Sequence, residues 1–369
     1  MALQRCGLPA FFSACHRGFG RRVYARAYAA VGSTTYVGQP PPPPSPSSSL
    51  PTAPPTAPNF PSVFDARILS ELRHRAQPPP GSTSSVQIQL PQLIDQYLDR
   101  SGLVLDSALS YESRPASERQ VLFDENGDDA IAMIVHAAQQ AGVGHKVTHA
   151  SGFALNVPGL EGQSVFVTCA HTLEEIRHSR LLRSHAEHPS LSGSFIVTGS
   201  SSPTFSPVSS VLSSLYRSDL LLLSTSTPVP LIRTLPVSPY PAQPGTPIRV
   251  HFVAEKPQIC GADAEGWRPW IDGTWSKWVR GTLVGYRDLA GREAKPGTYD
   301  ALSHLIFDPP PTPGSSGGPI IDEQSGAVVG VMLGTQMQNR VEGVRGWGVP
   351  SELIFEMFSL PGLKLTNKT

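Results

Sequence analysis

Short apolar runs, each about the length of a β-strand, recur along the chain between residues 146 and 360. Several are rich in valine and isoleucine, which pack well on a pleated sheet, and glycine, proline or serine separates them. Many short strands joined by such turns are typical of an all-β sandwich or of β-barrels. The runs comprise residues 152–157, 164–169, 194–197, 220–223, 248–253, 279–286, 302–307, 327–333 and 347–349.

These runs are numerous enough for two small barrels, and a proline-rich stretch divides them. Six prolines lie between Pro228 and Pro244 and indicate a connector. We therefore expect an all-β domain at residues 146–360, with a first barrel at 146–226 and a second barrel at 246–350.

The residues before this domain follow a different pattern. An apolar run begins after Asp128 and Asp129 and ends near Gly142. Acidic residues at the start and glycine at the end are typical of a helix, so a helix is predicted near residues 128–141. Residues 88–145 are treated as an N-terminal extension that contains this helix.

The first 64 residues contain neither aspartate nor glutamate, and residues 1–28 hold five arginines without a lysine. This composition, with aromatic and aliphatic residues between the arginines, is typical of a mitochondrial transit peptide. A disordered basic tail is the alternative. A targeting role predicts cleavage after Tyr28 and a mitochondrial location, with matrix and intermembrane space both open.

Residues 29–87 are rich in proline and serine, and eleven prolines lie between Pro40 and Pro61. Such a segment is stiff, extended and solvated. It predicts a disordered linker, and a docking ligand for a proline-binding domain is the alternative.

The composition of the whole chain excludes several classes of protein. Lysine plus arginine equals aspartate plus glutamate at 29 each, without the basic excess of an electrostatic nucleic-acid binder. No stretch approaches the roughly 18 apolar residues of a transmembrane helix, and four cysteines are too few for a disulfide scaffold. We expect neither a nucleic-acid partner nor an integral membrane segment, and a homo-oligomer stays open.

The segment from Pro313 to Pro319, Pro-Gly-Ser-Ser-Gly-Gly-Pro, carries the strongest chemical signal. A Gly-Ser run alone is common in linkers, but an apolar strand pair follows this one at residues 320–331. Glycines permit a tight turn that projects a serine hydroxyl and directs neighbouring N–H groups at one point. Because such N–H groups stabilise an oxyanion, Ser316 is a candidate nucleophile.

A serine nucleophile needs a positioned base, and the base needs an acid that fixes its tautomer. His171 follows the apolar run 164–169 and is therefore expected at the end of a strand. Asp219 directly precedes the run 220–223, and a carboxylate beside a buried strand needs a partner. Each residue alone is an ordinary structural one, but the order His171, Asp219, Ser316 predicts a catalytic triad.

These motifs resemble those of the chymotrypsin-fold serine peptidases, and most of all the HtrA (DegP-like) branch, over about residues 148–358. The resemblance implies two perpendicular six-stranded β-barrels with the triad in the cleft between them. The similar segments are Ser-Gly-Phe-Ala at 151–154, Thr-Cys-Ala-His at 168–171, Asp-Leu-Leu-Leu-Leu at 219–223, Val-Arg-Gly-Thr-Leu-Val at 279–284, the serine loop at 313–319 and Gly-Val-Pro-Ser at 348–351.

The resemblance also implies a role for each site residue. Ser316 would be the nucleophile, His171 the general base and acid, and Asp219 the group that orients His171. The backbone N–H groups of Gly314 and Ser316 would form the oxyanion hole. The implied reaction is hydrolysis of polypeptide substrates through an acyl-enzyme, with no cofactor and no metal.

The chain departs from the family pattern at three points. Ser315 stands where the family has asparagine or aspartate before the nucleophile. Only 19 residues follow Pro350, too few for the PDZ domain of the HtrA branch. Pro310 lies six residues before the nucleophile, where trypsins carry the aspartate that binds a basic side chain.

The absence of an acid at residue 310 argues against cleavage after lysine or arginine. By the same resemblance, the strand that contains residues 332–335 is expected to form the wall of the substrate pocket. A small or medium apolar P1 residue is therefore predicted. The expected substrate-binding residues are Pro310, Met332, Leu333, Gly334 and Thr335.

Three features stay open at this level. Four tryptophans between Trp267 and Trp278 fit either a hairpin of the second barrel or an exposed patch for a partner. A zinc site at His178, His185 and His188 is conceivable, but no cluster of cysteines or carboxylates completes a coordination set, so a solvated loop is favoured. A disulfide between residues 169 and 260 is disfavoured.

The function has alternatives of different classes as well. An active serine endopeptidase, possibly in mitochondrial protein quality control, is the first hypothesis. A protease fold kept as a binding or chaperone module with weak hydrolysis is the second.

Overall fold

A computed structural model describes residues 61–76, 88–121, 123, 127–182, 190–200, 202–230, 232–255 and 266–362. The predicted transit peptide, the polyproline run, Cys260, His185 and His188 lie outside these ranges. Within them, no helix has the length and apolar character needed to cross a membrane.

Strands dominate the described residues. The α-helices are α1 (Val63–Ala76), α2 (Leu90–Asp99), α3 (His171–Arg177) and α4 (Glu352–Phe355). The strands are β1 (Ile131–Gln140), β2 (Gly144–Leu155), β3 (Val165–Cys169), β4 (Ser190–Thr198), β5 (Thr204–Leu215), β6 (Leu220–Thr225), β7 (Pro247–Ala254), β8 (Arg268–Pro269), β9 (Trp275–Arg287), β10 (Glu293–Ala294), β11 (His304–Asp308), β12 (Pro319–Asp322), β13 (Val328–Asn339) and β14 (Gly343–Pro350).

The first barrel is closed and antiparallel, in the strand order β1-β2-β3-β6-β5-β4. Its interior is filled by large apolar side chains such as Ile134, Phe166 and Leu221, none of them accessible to solvent. Closure leaves no unpaired strand edge, so every strand of the barrel is protected from pairing with another chain.

The second barrel is formed by β7, β9, β11, β14, β13 and β12, with the pairing of β7 and β9 closing the ring. Strands β8 and β10 extend it from β9. Ile248, Leu305 and Phe307 are buried in its core. The all-β fold of two six-stranded barrels with few short helices is therefore confirmed.

The helix predicted near residues 128–141 is wrong, because the segment is strand β1. Its residues from Ile131 to Ala138 are all buried, and β1 pairs with β2 on one side and β4 on the other. A surface helix needs a polar face, and His136 is the one polar residue between Ile131 and Ala138. The first barrel therefore begins at residue 131 rather than at residue 146.

The linker prediction for residues 29–87 is wrong over helix α1. Ser62 caps the helix, since its hydroxyl accepts a hydrogen bond of 3.0 Å from the Asp65 N–H. Phe64, Ile68 and Leu72, four residues apart, form one buried face together with Leu69. The proline-rich surroundings hid this apolar spacing.

Helix α2 belongs to the first barrel, although its residues were assigned to the N-terminal extension. Leu93 and Tyr97 are buried in the core of that barrel. The side-chain carbonyl of Gln96 accepts a 2.9 Å hydrogen bond from the Val211 N–H of β5. The extension thus completes the packing of the barrel instead of standing apart from it.

The tryptophan-rich segment is mainly structural. Strand β8 pairs with the start of β9, and the buried Trp270 and the partly buried Trp278 lie on either side of the His251 ring. The hairpin interpretation therefore holds for these two side chains. Trp267 differs, because it lines a surface cavity described below.

Candidate active site

Two neighbouring strands of the first barrel bring the histidine and the aspartate together. His171 begins α3 directly after β3, and Asp219 directly precedes β6. Strands β3 and β6 are antiparallel partners, with Cys169 opposite Leu220. Residues that follow one strand and precede the other must therefore lie side by side, although 48 residues separate them in the chain.

The loop that carries Ser316 lies in the second barrel and is bonded to the first. The Ser151 N–H of β2 donates to the Ser316 carbonyl at 2.8 Å. The Ser151 hydroxyl donates to the Gly314 carbonyl at 2.9 Å. These two hydrogen bonds hold the serine loop against the barrel that provides His171 and Asp219.

The Asp219 carboxylate holds the imidazole of His171 on one side. His171 Nδ1 lies 2.6 Å from Asp219 Oδ2, and the Ala170 N–H donates to Asp219 Oδ1 at 2.9 Å. Asp219 has a left-handed backbone with φ of 55°, a conformation that costs energy for a residue other than glycine. Both carboxylate oxygens of Asp219 thus have a hydrogen-bond partner, and the other imidazole nitrogen of His171, Nε2, does not face the carboxylate.

The pKa of His171 is raised above the ordinary value of an imidazole. Burial by itself lowers it, but the hydrogen bond to Asp219 and the contact with Cys169 outweigh that effect. Asp219 therefore favours the protonated imidazolium, which is the form that a general base reaches when it takes a proton.

Ser316 and His171 do not hydrogen-bond each other in this conformation. The Ser316 hydroxyl donates to the Leu333 carbonyl at 2.9 Å, and His171 Nε2 lies 3.6 Å from the Sγ of Cys169. Catalytic hydrogen bonds often form only in the complex with substrate, so this arrangement is compatible with a resting state. The Cys169 thiol is free and buried.

Two backbone N–H groups of the serine loop are available for an oxyanion. Among the residues that the structure describes, neither the Gly314 nor the Ser316 N–H donates to a protein acceptor. Gly314 and Gly317 both have left-handed φ values, 89° and 83°, which let the loop fold this tightly. These donors are the ones predicted to form the oxyanion hole.

Ser315 is fully buried and satisfied by hydrogen bonds. Its hydroxyl accepts from the Val253 N–H at 2.9 Å and lies 3.0 Å from the Thr312 hydroxyl. The Thr312 hydroxyl in turn donates to the Val253 carbonyl at 2.6 Å. The small residue therefore anchors the loop to β7, at the position where the resemblance led us to expect asparagine or aspartate.

The predicted substrate-binding residues fall into two separate places. Met332 is buried and pairs with the serine loop, because Gly317 donates to its carbonyl at 2.7 Å. The next residues of β13 are less buried: Leu333 and Gly334 are half-buried, and Thr335 is exposed. Pro310 is exposed and lies with Gly314 on a cavity of about 870 Å³ that these four residues do not line.

Sequence reasoning missed two contacts in this region. The sequence disfavours a disulfide between residues 169 and 260, but nothing in it predicts the position of the Cys169 thiol against His171 Nε2. His149 of β2 lines the cavity beside Gly314 and carried no signal in the sequence. Only the fold brings His149 next to Gly314, because 165 residues separate them in the chain (314 minus 149).

Gly317→Ala is expected to lower the free energy of unfolding by at least about 3 kcal/mol. A Cβ at this position would lie 2.2 Å from the Ser151 carbonyl oxygen and 2.5 Å from Thr168 Oγ1, and its φ of +83° adds backbone strain. Urea unfolding followed by tryptophan fluorescence measures the change. Gly297→Ala is the matched control, with φ of +77° and no neighbour within 4 Å, and should cost only about 1 kcal/mol. Equal losses in the two variants would contradict the steric explanation.

Comparisons with known proteins found one matching family and several similar solved structures. The family described as "Trypsin-like peptidase domain" matches residues 150–331. The chain is similar in structure to Deg5, with 13% identity over 60% of this chain and 84% of that one at a TM-score of 0.37. It is also similar to the active form of the Rv3671c protease from M. tuberculosis, with 18% identity over 69% and 92% of the two chains at a TM-score of 0.37. No curated protein sequence matches the chain.

Proposed function

We propose that the chain is a serine endopeptidase, because residues 150–331 match the family described as "Trypsin-like peptidase domain". The observation that supports this most is the 2.6 Å contact between His171 Nδ1 and Asp219 Oδ2. It directs the other imidazole nitrogen away from the acid, as a general base requires. The serine loop is bonded to the same barrel.

In the proposed reaction the Ser316 hydroxyl first leaves the Leu333 carbonyl and turns to His171 Nε2. Its oxygen attacks the carbonyl carbon of the scissile bond, and His171 takes the proton. The N–H groups of Gly314 and Ser316 stabilise the negative oxygen that forms. His171 then gives its proton to the leaving amine, and water hydrolyses the acyl-enzyme by the same steps in reverse order.

Cleavage is expected after small or medium apolar residues and not after lysine or arginine. Pro310 offers no charge at the position where trypsins carry an acid, and Met332 presents a buried apolar side chain next to the serine loop. Digestion of an unbiased peptide library, with the products sequenced by mass spectrometry, measures the preference. A profile dominated by basic P1 residues would refute the specificity, and an absence of any internal cleavage would refute the proposed function itself.

The specificity constant kcat/KM for peptide hydrolysis is expected to rise with pH, with a midpoint above the ordinary imidazole pKa of about 6.5. His171 must be neutral to accept a proton, and its pKa is raised. Cys169→Ala removes one of the contacts that raise this pKa, so the midpoint should move to lower pH.

The control for this pH profile is His178→Asn. The side chain of His178 is 75% exposed at the end of α3, so the midpoint should stay in place.

The folded-state pKa of His171 exceeds the unfolded value, so its contribution to stability is full below about pH 6.5 and is lost as the pH rises through the folded pKa. A midpoint below 6.5 in the wild type would contradict the proposed environment of His171.

A mitochondrial location is part of the proposal and is supported by the arginine-rich, acid-free composition of residues 1–28. Fusion of this segment to a fluorescent protein tests it. Import into mitochondria supports the location, and a variant with the five arginines changed to glutamine should stay outside.

A binding or chaperone module with weak hydrolysis is the second candidate. The hydrogen bond from the Ser316 hydroxyl to the Leu333 carbonyl favours it, because that bond keeps the nucleophile away from the base. Suppression of the aggregation of an unfolded protein without cleavage of that protein would support this candidate.

A further inference from the structure

The N-terminal helix α1 contacts the candidate oxyanion loop through one histidine. The Phe64 ring of α1 packs edge-on against the His149 ring, with centroids 5.4 Å apart. The His149 ring in turn lies against Gly314, since a Cβ built on Gly314 would be 3.0 Å from His149 Nε2. A continuous contact therefore runs from the helix to the glycine that carries the expected oxyanion donor.

A second route leads from the same helix to the same loop. The buried face of α1 shares one apolar cluster with Val253 of β7 and with Trp270 and Ile271. The backbone of Val253 is hydrogen-bonded to the hydroxyls of Ser315 and Thr312 on either side of Gly314. Gly314 is thus packed between His149 and Val253, whose Cγ1 would be 3.5 Å from an added Cβ.

His149 contributes shape rather than charge at this position. Burial lowers its pKa, and the nearby carboxylates of Glu255, Asp65 and Glu175 oppose that effect without overcoming it. A neutral ring next to Gly314 places no charge at this position, so its contact with Gly314 is steric.

We propose that Phe64 and His149 are positioning residues that hold Gly314 with its N–H directed at the oxyanion of the reaction. This proposal rests on the proposed peptidase function. It assigns helix α1, outside the residues of the peptidase domain match, to the support of the catalytic loop.

The kinetic experiment compares Phe64→Ala and His149→Ala in the full chain with the wild type. Misplacement of an oxyanion donor by a fraction of an ångström should lower kcat about 10- to 100-fold with KM nearly unchanged. Binding of a peptidyl boronate, which forms a tetrahedral adduct, should weaken by a similar factor. His149→Phe keeps a neutral aromatic ring and should restore most of kcat.

The matched control is Leu72→Ala, which removes a buried side chain from the same face of the same helix. It should lower stability but reduce kcat much less than Phe64→Ala does at a temperature where both variants are folded, because the ring contact with His149 is made by Phe64. An equal loss of kcat in Leu72→Ala, or full kcat in His149→Ala, would overturn the proposal.

Amide hydrogen exchange of the peptide that spans residues 312–317 separates this proposal from the peptidase function. Exchange should become faster in Phe64→Ala and His149→Ala and change much less in Leu72→Ala, whether or not the wild type cleaves peptides. An inactive wild type with this exchange pattern would refute the catalytic function and keep the positioning contact. An active wild type whose variants exchange like the wild type would refute the positioning contact.

Discussion

Replacement of Ser316 by alanine is expected to lower kcat/KM for peptide hydrolysis by about 10⁶-fold, because the acyl-enzyme cannot form without the nucleophilic oxygen. Residual hydrolysis would come from substrate binding and the oxyanion donors alone. The folded state should be nearly unaffected, since within the described part of the chain the Ser316 hydroxyl makes one hydrogen bond, to the Leu333 carbonyl. Steady-state hydrolysis of a fluorogenic peptide measures the loss, and thermal unfolding shows that the variant is folded.

Ser325→Ala is the matched control for this experiment. Ser325 lies in the turn between β12 and β13 of the same barrel and donates to Asp322 at 2.8 Å. Its replacement should leave kcat/KM unchanged. Retention of more than a few per cent of wild-type activity in Ser316→Ala would assign the hydrolysis to another residue or to a contaminant.

Asp219→Asn is expected to lower kcat by about 10⁴-fold while the fold is retained. The Ala170 N–H donates to Asp219 Oδ1 at 2.9 Å, so the amide oxygen of an asparagine must occupy that position. The amide nitrogen then faces His171 Nδ1 and donates to it. His171 is left with its proton on Nε2, and this tautomer cannot accept the proton of Ser316.

Asp300→Asn provides the comparison, because Asp300 is an exposed aspartate that accepts a hydrogen bond from the Lys295 N–H in a surface turn. Steady-state hydrolysis of the fluorogenic peptide measures both variants, and Asp300→Asn should retain wild-type activity. A reduction of less than about tenfold in Asp219→Asn would mean that the orientation of His171 does not depend on this carboxylate.

The three site residues could be predicted because each lies next to a recognisable sequence feature. His171 follows one apolar run, Asp219 precedes another, and the glycines around Ser316 mark a turn that few other residues could adopt. The pairing of β3 with β6 then makes the first contact almost obligatory. The hydroxyl direction of Ser316 depends on a rotamer, and no sequence pattern encodes that.

Two long strands, β1 and β5, escaped prediction for different physical reasons. Strand β1 is buried on both faces, so its continuous apolar run lacks the alternation that distinguishes a strand from a helix. Strand β5 is rich in serine, and register shifts between Val208 and Ser210 and between Val211 and Ser213 interrupt its alternation. Its serines are accommodated by hydrogen bonds such as the 2.7 Å contact between Ser210 and Ser224.

The N-terminal helix shows the limit of composition as a guide. Prolines on both sides of residues 63–76 suggested an extended linker, but four apolar residues at helical spacing are enough to bury one face against the barrels. Its contact with His149 could not be anticipated, because the partner lies in another element.

The central claim is that Ser316 is a nucleophile activated by His171. The most direct measurement is labelling of the full chain with a fluorophosphonate probe, followed by intact mass and peptide mapping. The account predicts one label on Ser316, formed at least a hundredfold more slowly in His171→Ala. No label, or a label on another residue at the same rate in both proteins, would contradict it.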